Sequence, residues 1–214
     1  MEQEGKKSRQ ELRSEETKRC IREAAGELFA ERGFHAVTMR EIAKAAGCSH
    51  TTIYLYYKDK ETLLEQLALP PLRELEQEMR GAMARTERAP KDVLYDISGS
   101  FIRFCLSYKS MVPVLLGTKA VRMDAKGPQN ELNSVRLRLF GCISESLDRM
   151  IKSQTEEERL QSSRIYFFML QGLITTYMEN EEPLEQLFAR IVPLMEEAGD
   201  ILLLGLLQKR KLQN

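Results

Sequence analysis

Between Thr38 and Lys60 the sequence concentrates side chains suited to touching a polyanion. Ser49, His50, Thr51 and Thr52 follow one another, and Tyr54, Tyr56 and Lys60 come after them. Small donors at the start of a helix can enter a major groove and reach base edges. Tyrosine hydroxyls on stiff rings reach phosphate oxygens. Lys60 is expected in the first turn of a helix, where an ammonium opposes the helix dipole. A bound phosphate would remove that conflict, because backbone N–H groups and the ammonium would face one anion. A tolerated surface lysine is the alternative. Tyr57 falls where an aromatic ring would lock one helix to the next, and is read as packing.

The chain offers little for bond-breaking chemistry. His35 and His50 are its only histidines. There is no glycine-rich phosphate loop, nucleophile elbow or metal-spaced acid or histidine cluster. No catalytic residue, cofactor or metal is expected, and a helical enzyme is the weakest of the possible readings. Cys20, Cys48, Cys105 and Cys142 lie far apart without a CxxC pair, which predicts reduced thiols and a cytoplasmic protein. The first twenty residues are polar, so no secretory signal is expected. The most apolar stretch, 201–207, is far shorter than the ~20 residues of a membrane span.

Net charge is zero, so any nucleic-acid argument rests on local charge. Lys6, Lys7, Arg9, Arg13, Lys18, Arg19 and Arg22 outnumber Glu11, Glu15 and Glu16 at the N-terminal end. A phosphate-binding patch and a solvated, frayed tail both fit that excess.

The elements that must position these groups are helices. Leu, Glu, Ala, Arg and Met dominate, and no alternating strand pattern appears. A first helix is expected from Ser14 to Arg32, with Ile21, Ala24, Ala25, Leu28 and Phe29 inward. Gly33 should close it as a left-handed cap, with Phe34 folded back onto its last turn. Thr38-Met39-Arg40-Glu41 fits a capping box for a second helix ending near Ala46. Ser49 caps a third, to about Leu55, and Asp59 caps a fourth, from Lys60 to before Thr86. Ala43, Gly47 and Ile53 have the spacing of a helix-turn-helix: a small residue at the helix contact, a turn tolerating positive φ, and an apolar anchor. An ordinary helical hairpin has the same spacing, so the flanking donors carry the argument. Beyond Pro90 the pattern predicts helices at 91–108, 110–123, 129–153, 156–180 and 184–209, the last kinked or split at Pro193.

The stretch from Thr17 to Leu64, TKRCIREAAGELFAERGFHAVTMREIAKAAGCSHTTIYLYYKDKETLL, resembles the DNA-binding domain of the TetR (tetracycline-repressor) family. AAGELFAERGF, VTMREIAKAAG and IYLYYKDKETLL carry the resemblance. The family usually has Tyr-Tyr-His-Phe or Tyr-x-Tyr-Phe before its Lys-Glu pair, where this chain has Tyr54-Leu55-Tyr56-Tyr57. The resemblance implies an all-α protein. A three-helix helix-turn-helix DNA-binding domain (14–64, motif 38–57) would precede a helical effector-binding and dimerisation domain (65–214). It implies a homodimeric regulator, usually a repressor, on a palindromic operator in double-stranded DNA. Thr38, Tyr54, Tyr56 and Lys60 would take phosphates, and Ser49, His50, Thr51 and Thr52 base edges or nearby phosphates. An activator, or a DNA-binding protein without a ligand, fits the same scaffold.

The last two helices of such proteins pair across a two-fold axis. Ile165, Phe168, Gly172, Leu187, Ile191, Leu202 and Leu206 suit that face, and they equally suit a monomer core. Tyr95, Arg103, Met123, Arg138, Cys142, Tyr166, Met169, Gln171 and Tyr177 could line the pocket of a small-molecule effector, although soft and aromatic residues at helical spacing are usually core. Arg103 and Arg138 would each need a partner, either an anionic ligand or an acid such as Asp96 or Asp148.

Overall fold

A computed structural model describes residues 8–116 and 131–213. The described residues form helices, with no strand among them. In order these are α1 (Arg9–Arg32), α2 (Met39–Ala45), α3 (His50–Tyr56), α4 (Lys60–Met83), α5 (Pro90–Ser107), α6 (Val112–Leu116), α7 (Glu131–Ile151), α8 (Glu156–Tyr177) and α9 (Leu184–Gln213). None of them is long and apolar enough to cross a membrane. The chain divides into two compact units, one ending at Pro70 and the other beginning at Pro71.

In the first unit α1 begins earlier than the apolar pattern predicts. Ser8 is its N-cap, and the Ser8 hydroxyl and the Glu11 carboxylate satisfy each other's backbone N–H groups. The apolar face of α1 (Ile21, Ala24, Ala25, Phe29) packs with Val37, Ile42, Ala43 and Ile53 into the core. Gly33 ends the helix with φ +76° and ψ 153°. The positive φ needs glycine as expected, but the extended ψ is not the left-handed cap; it turns the chain outward into a single 3₁₀ turn, Phe34–Ala36. Phe34 does fold back, with its ring 5.3 Å from that of Phe29.

Two prolines that the pattern did not mark as a break, Pro70 and Pro71, lie inside α4. They remove the helical donors for the carbonyls of Gln66 and Leu67, at the place where the two units divide. Pro193 neither splits nor ends α9. Its missing N–H would have served the carbonyl of Ala189, an exposed residue that water can reach.

The second unit is built around α5, which contacts α7, α8 and α9. Ile97, Phe101, Ile102 and Cys105 of α5 are buried with Leu139 and Ile143 of α7 and Leu170 of α8. The Phe167 ring lies 5.7 Å from those of both Phe101 and Phe140. Gly199 of α9 is a close-approach glycine: a Cβ there would sit 2.8 Å from the Tyr95 ring.

Tyr57 is 1% exposed, as the packing reading expects, yet its hydroxyl has no hydrogen-bond partner. A buried, unsatisfied hydroxyl costs about 1–3 kcal/mol. The resemblance marks this position as one where phenylalanine is usual. Tyr57→Phe should therefore raise stability by about 1 kcal/mol. Chemical denaturation would check this, and an unchanged or lowered midpoint would contradict it.

Candidate nucleic-acid interface

The interface starts from the six residues between α1 and α2, Gly33 to Thr38. Val37 is fully buried and anchors the connection. Thr38 then caps α2: its hydroxyl accepts from the Glu41 N–H (3.3 Å) and donates to the Glu41 carboxylate (2.7 Å). The Thr38 N–H also donates to that carboxylate, at 2.9 Å. Arg32 reaches across from the end of α1 to Glu41 (2.9 Å) and to the carbonyl of Ala36 (3.2 Å). Hydrogen bonds from Thr38, with the Arg32 guanidinium beyond them, hold the Glu41 carboxyl down at about 2. Both donors of Thr38 are thus directed at Glu41. In this arrangement Thr38 starts α2.

α2 ends at Ala45 with Ala46 as its C-cap, and Gly47 takes the turn with φ +67°, as the helix-turn-helix spacing requires. The Cys48 N–H donates to the Ala43 carbonyl at 3.0 Å, closing the turn. Ser49 caps α3 through the Thr52 N–H (3.0 Å), and its hydroxyl also pairs with that of Thr52 (2.7 Å). Ile53 is fully buried beneath α3. His50, Thr51, Tyr54 and Leu55 form the outward face, where the His50 ring stands edge-on to Tyr54 at 5.1 Å. Tyr56 is half-buried, with the Lys18 ammonium over its ring at 5.8 Å. The structure brings the α3 donors onto one short helix and divides their work: Ser49 and Thr52 cap it, while His50, Thr51 and Tyr54 face solvent.

Lys60 is not the unpaired first-turn cation that its position suggested. Its ammonium donates to the carbonyls of Phe34 (2.9 Å) and Val37 (3.0 Å) and lies 4.5 Å from the centre of the Phe34 ring. The Val37 carbonyl lies between the 3₁₀ turn and α2 and has no helical donor, so the cation is held by the connection it organises. The free cations lie elsewhere. Arg40 and Lys44, one turn apart on the exposed side of α2, form no ion pair among the described residues. Like charges at this spacing destabilise a helix by about 0.2–0.5 kcal/mol. Glu41 lies near both in sequence, but the structure commits its carboxylate to Thr38 and Arg32. The basic N-terminal end is partly neutralised within α1, where Lys18 pairs with Glu15 and Arg19 with Glu16 and Glu23.

The effector candidates of the second unit do separate jobs. Tyr95 donates to Asp200 (2.6 Å), and burial raises its phenol well above the ordinary range. Tyr166 is fully buried beside the Ser98 hydroxyl (3.0 Å), and burial pushes its phenol up to about 12. Burial likewise raises the Cys142 thiol. The two arginines singled out have found acids, though not the two named from sequence. Arg103 pairs with Glu185 and lies over the Phe188 ring, and Arg138 pairs with Glu76 at 2.7 Å. The deeply buried cation is Arg136, 3% exposed, which donates to the Leu115 carbonyl and to Asn133. Tyr177 lies under Arg190, and Met169 and Gln171 are half-buried. Met123 lies outside the described residues. A small cavity of about 50 Å³ between the ends of α7, α8 and α9 is lined by none of the nine candidates.

Two of the proposed dimer-face residues are core. Leu187 and Ile191 are 2% and 1% exposed, because the first turns of α9 pack inward. Phe168 is 62% exposed and Ile165 39%, while Gly172 is exposed and Leu202 and Leu206 are half-buried. Ile201 and Leu204 of α9, 62% and 68% exposed, were missed because only tertiary contacts reveal which α9 stripe faces out.

Comparison with known proteins gives this geometry a context. Residues 21–67 match the family described as bacterial regulatory proteins, tetR family. The fatty acid metabolism regulator protein of Bacillus subtilis is 25% identical over 163 residues, which is 76% of this chain and 84% of that protein. AcrR of Shigella flexneri is 37% identical over 62 residues, 29% of this chain and 28% of its own. Among solved structures, the TetR-family regulator PfmR of Thermus thermophilus shares the fold at a TM-score of 0.59 and 22% identity, covering 83% of this chain and 97% of its own. FadR of Bacillus subtilis in complex with stearoyl-CoA shares it at 0.59 and 20%, covering 83% and 96%. Residues 21–67 therefore carry a DNA-binding segment similar to that of the tetR family, and the chain shares the fold of TetR-family regulators.

Lys60 and Lys44 should part company in experiment. Lys60→Met should cost about 2 kcal/mol of stability, because charge-assisted bonds to two carbonyls are lost, and should leave the salt slope of DNA binding unchanged. Lys44→Ala should leave stability nearly unchanged, because the favourable last-turn position offsets the repulsion from Arg40, and should lower the salt slope by about one unit. Denaturation and salt-dependent binding on both variants check this; a lowered slope for Lys60→Met would return that residue to the phosphate. A second expectation concerns acid. The folded Glu41 carboxyl sits at about 2, below its ordinary 4.5, so its stabilisation is complete above about 4.5 and is lost as pH falls through about 2. Melting curves of Glu41→Gln should be flatter than wild type across that window, and parallel curves would refute the assignment.

Proposed function

We propose that the chain is a homodimeric repressor that binds a near-palindromic operator and is released by a small-molecule effector, working in the cytoplasm where the DNA is. The observation that carries the dimer is the exposed apolar surface on α8 and α9. Ile165, Phe168 and Gly172 follow one exposed side of α8, and Leu194, Ile201 and Leu204 follow one of α9. Apolar rows at helical spacing on two helices suit a self-complementary helix pair, and a second copy is the partner that always presents the same rows. Two reading helices related by two-fold symmetry would address major grooves about 34–36 Å apart.

In this reading His50, Thr51 and Tyr54 contact the operator with Tyr56, and Ser49 and Thr52 hold the start of α3 against it. Arg40 and Lys44 face phosphates, where the cost of their mutual repulsion would be relieved. Thr38 and Lys60 act by shaping α2 and the connection before it. For the effector, the likeness to a fatty acid metabolism regulator and to a FadR bound to stearoyl-CoA supports a long-chain acyl thioester. An aromatic and aliphatic core in the second unit suits an acyl chain.

The test joins oligomeric state to linkage. Sedimentation of the wild type should show a dimer, and Phe168→Glu should give a folded monomer with much weaker operator binding. An acyl-CoA should loosen operator binding roughly 5–150-fold, and saturating operator must weaken acyl-CoA binding by the same factor. Equal acyl-CoA affinity with and without operator would exclude it as the inducer. A wild-type monomer protecting one asymmetric half-site would exclude the dimeric reading.

A further inference from the structure

The outward face of α3 is defined by what it lacks. Its seven residues, His50-Thr51-Thr52-Ile53-Tyr54-Leu55-Tyr56, include no Arg, Lys, Asn, Gln, Asp or Glu. In a major groove those are the side chains that single out one base: Arg and Lys for guanine, Asn and Gln for adenine, and the acids for cytosine. The donors that remain offer single hydrogen bonds. N7 accepts such a bond from either purine, so one donor there separates guanine from adenine poorly. One of the Ser49 and Thr52 hydroxyls is further spent as a donor to the other, at 2.7 Å.

The remaining feature of that face is apolar. Leu55 is 76% exposed, more than any other large hydrophobic side chain described in the first unit. Thr51 lies one turn before it on the same side of the helix and is also exposed. Ile53 and Tyr57 point into the core, so nothing in the helix register draws Leu55 inward. The apolar group that a major groove presents is the 5-methyl of thymine.

Resting on the DNA-binding reading above, we infer that α3 selects thymine by its methyl group, through the Leu55 side chain and the Thr51 methyl, so that the one or two base pairs facing these side chains in each half-site are A·T. The recognition is shape-matched burial of small apolar groups. It should make this helix indifferent to changes that alter only hydrogen-bonding edges away from those methyls.

The test uses the full-length protein and an operator recovered by selection from random DNA. Each thymine of a half-site is replaced in turn by deoxyuridine, which differs only in lacking the 5-methyl. One or two replacements should weaken binding about fourfold each, the equivalent of roughly 0.8 kcal/mol for one buried methyl. Leu55→Ala should bind the selected operator more weakly and should no longer distinguish thymine from uracil at one of those positions. Thr51→Ser, which keeps the hydroxyl and removes the methyl, should lose the distinction at the other. Because Leu55 is exposed, its variant should melt with the wild type. Uniform tolerance of deoxyuridine, or a full thymine preference retained by Leu55→Ala, would overturn the inference while leaving operator binding intact. Failure to enrich any sequence would sink the DNA-binding reading itself, and this inference with it.

Discussion

The DNA-binding unit depends on how five residues outside any α-helix, Gly33 to Val37, dispose of their carbonyls. The carbonyls of Ala36 and Val37 follow the 3₁₀ turn and precede α2, so no helix supplies their donors. Two cations gather them. Arg32 takes Ala36 from one side, and Lys60 takes Phe34 and Val37 from the other. The same Arg32 holds Glu41, and Glu41 holds the Thr38 cap. The start of α2, and through the Gly47 turn the direction of α3, follow from a short polar network between residues distant in sequence.

That network explains a division of labour among polar side chains that look alike on paper. Thr38, Ser49, Thr52 and Lys60 were candidates for contact with nucleic acid because they are donors near a helix start. Each has a side chain engaged by the protein's own backbone or a neighbouring side chain. The groups left for a partner are His50, Thr51, Tyr54 and Leu55 on α3, with Arg40 and Lys44 on α2. A cap and a contact use the same chemistry, and only geometry distinguishes them.

The second unit shows the same principle with charge and burial exchanged. Arg103 and Arg138 drew notice as cations among apolar neighbours, yet both lie at the surface with carboxylate partners. Arg136, two residues before Arg138, is the one taken inside, on the face of α7 that meets the core. The helix period places neighbouring arginines on different sides, but which side is inward depends on where α5 lies. The stripe on α8 and α9 is similar: Leu187 and Ile191 turn into the core, whereas Phe168, Ile201 and Leu204 remain outside.

Much was legible from the order of residues alone. Helical class, the Thr38–Glu41 box, the Ser49 and Asp59 caps and the Gly47 turn are local, with partners within four residues, so sequence spacing nearly determines them. The TetR-type signature in the first 64 residues is of this kind, because it records a chain of such local signals. The length of α1 was misjudged only because its first turns carry a cap and charges without an apolar face. What tertiary structure decided is every question about long-range partners. Lys60 meets a connection some 23 to 26 residues earlier, and Arg138 meets Glu76 from 62 residues away. Spacing cannot specify those pairs, because a side chain several turns away in sequence becomes a neighbour only once the helices between them have packed.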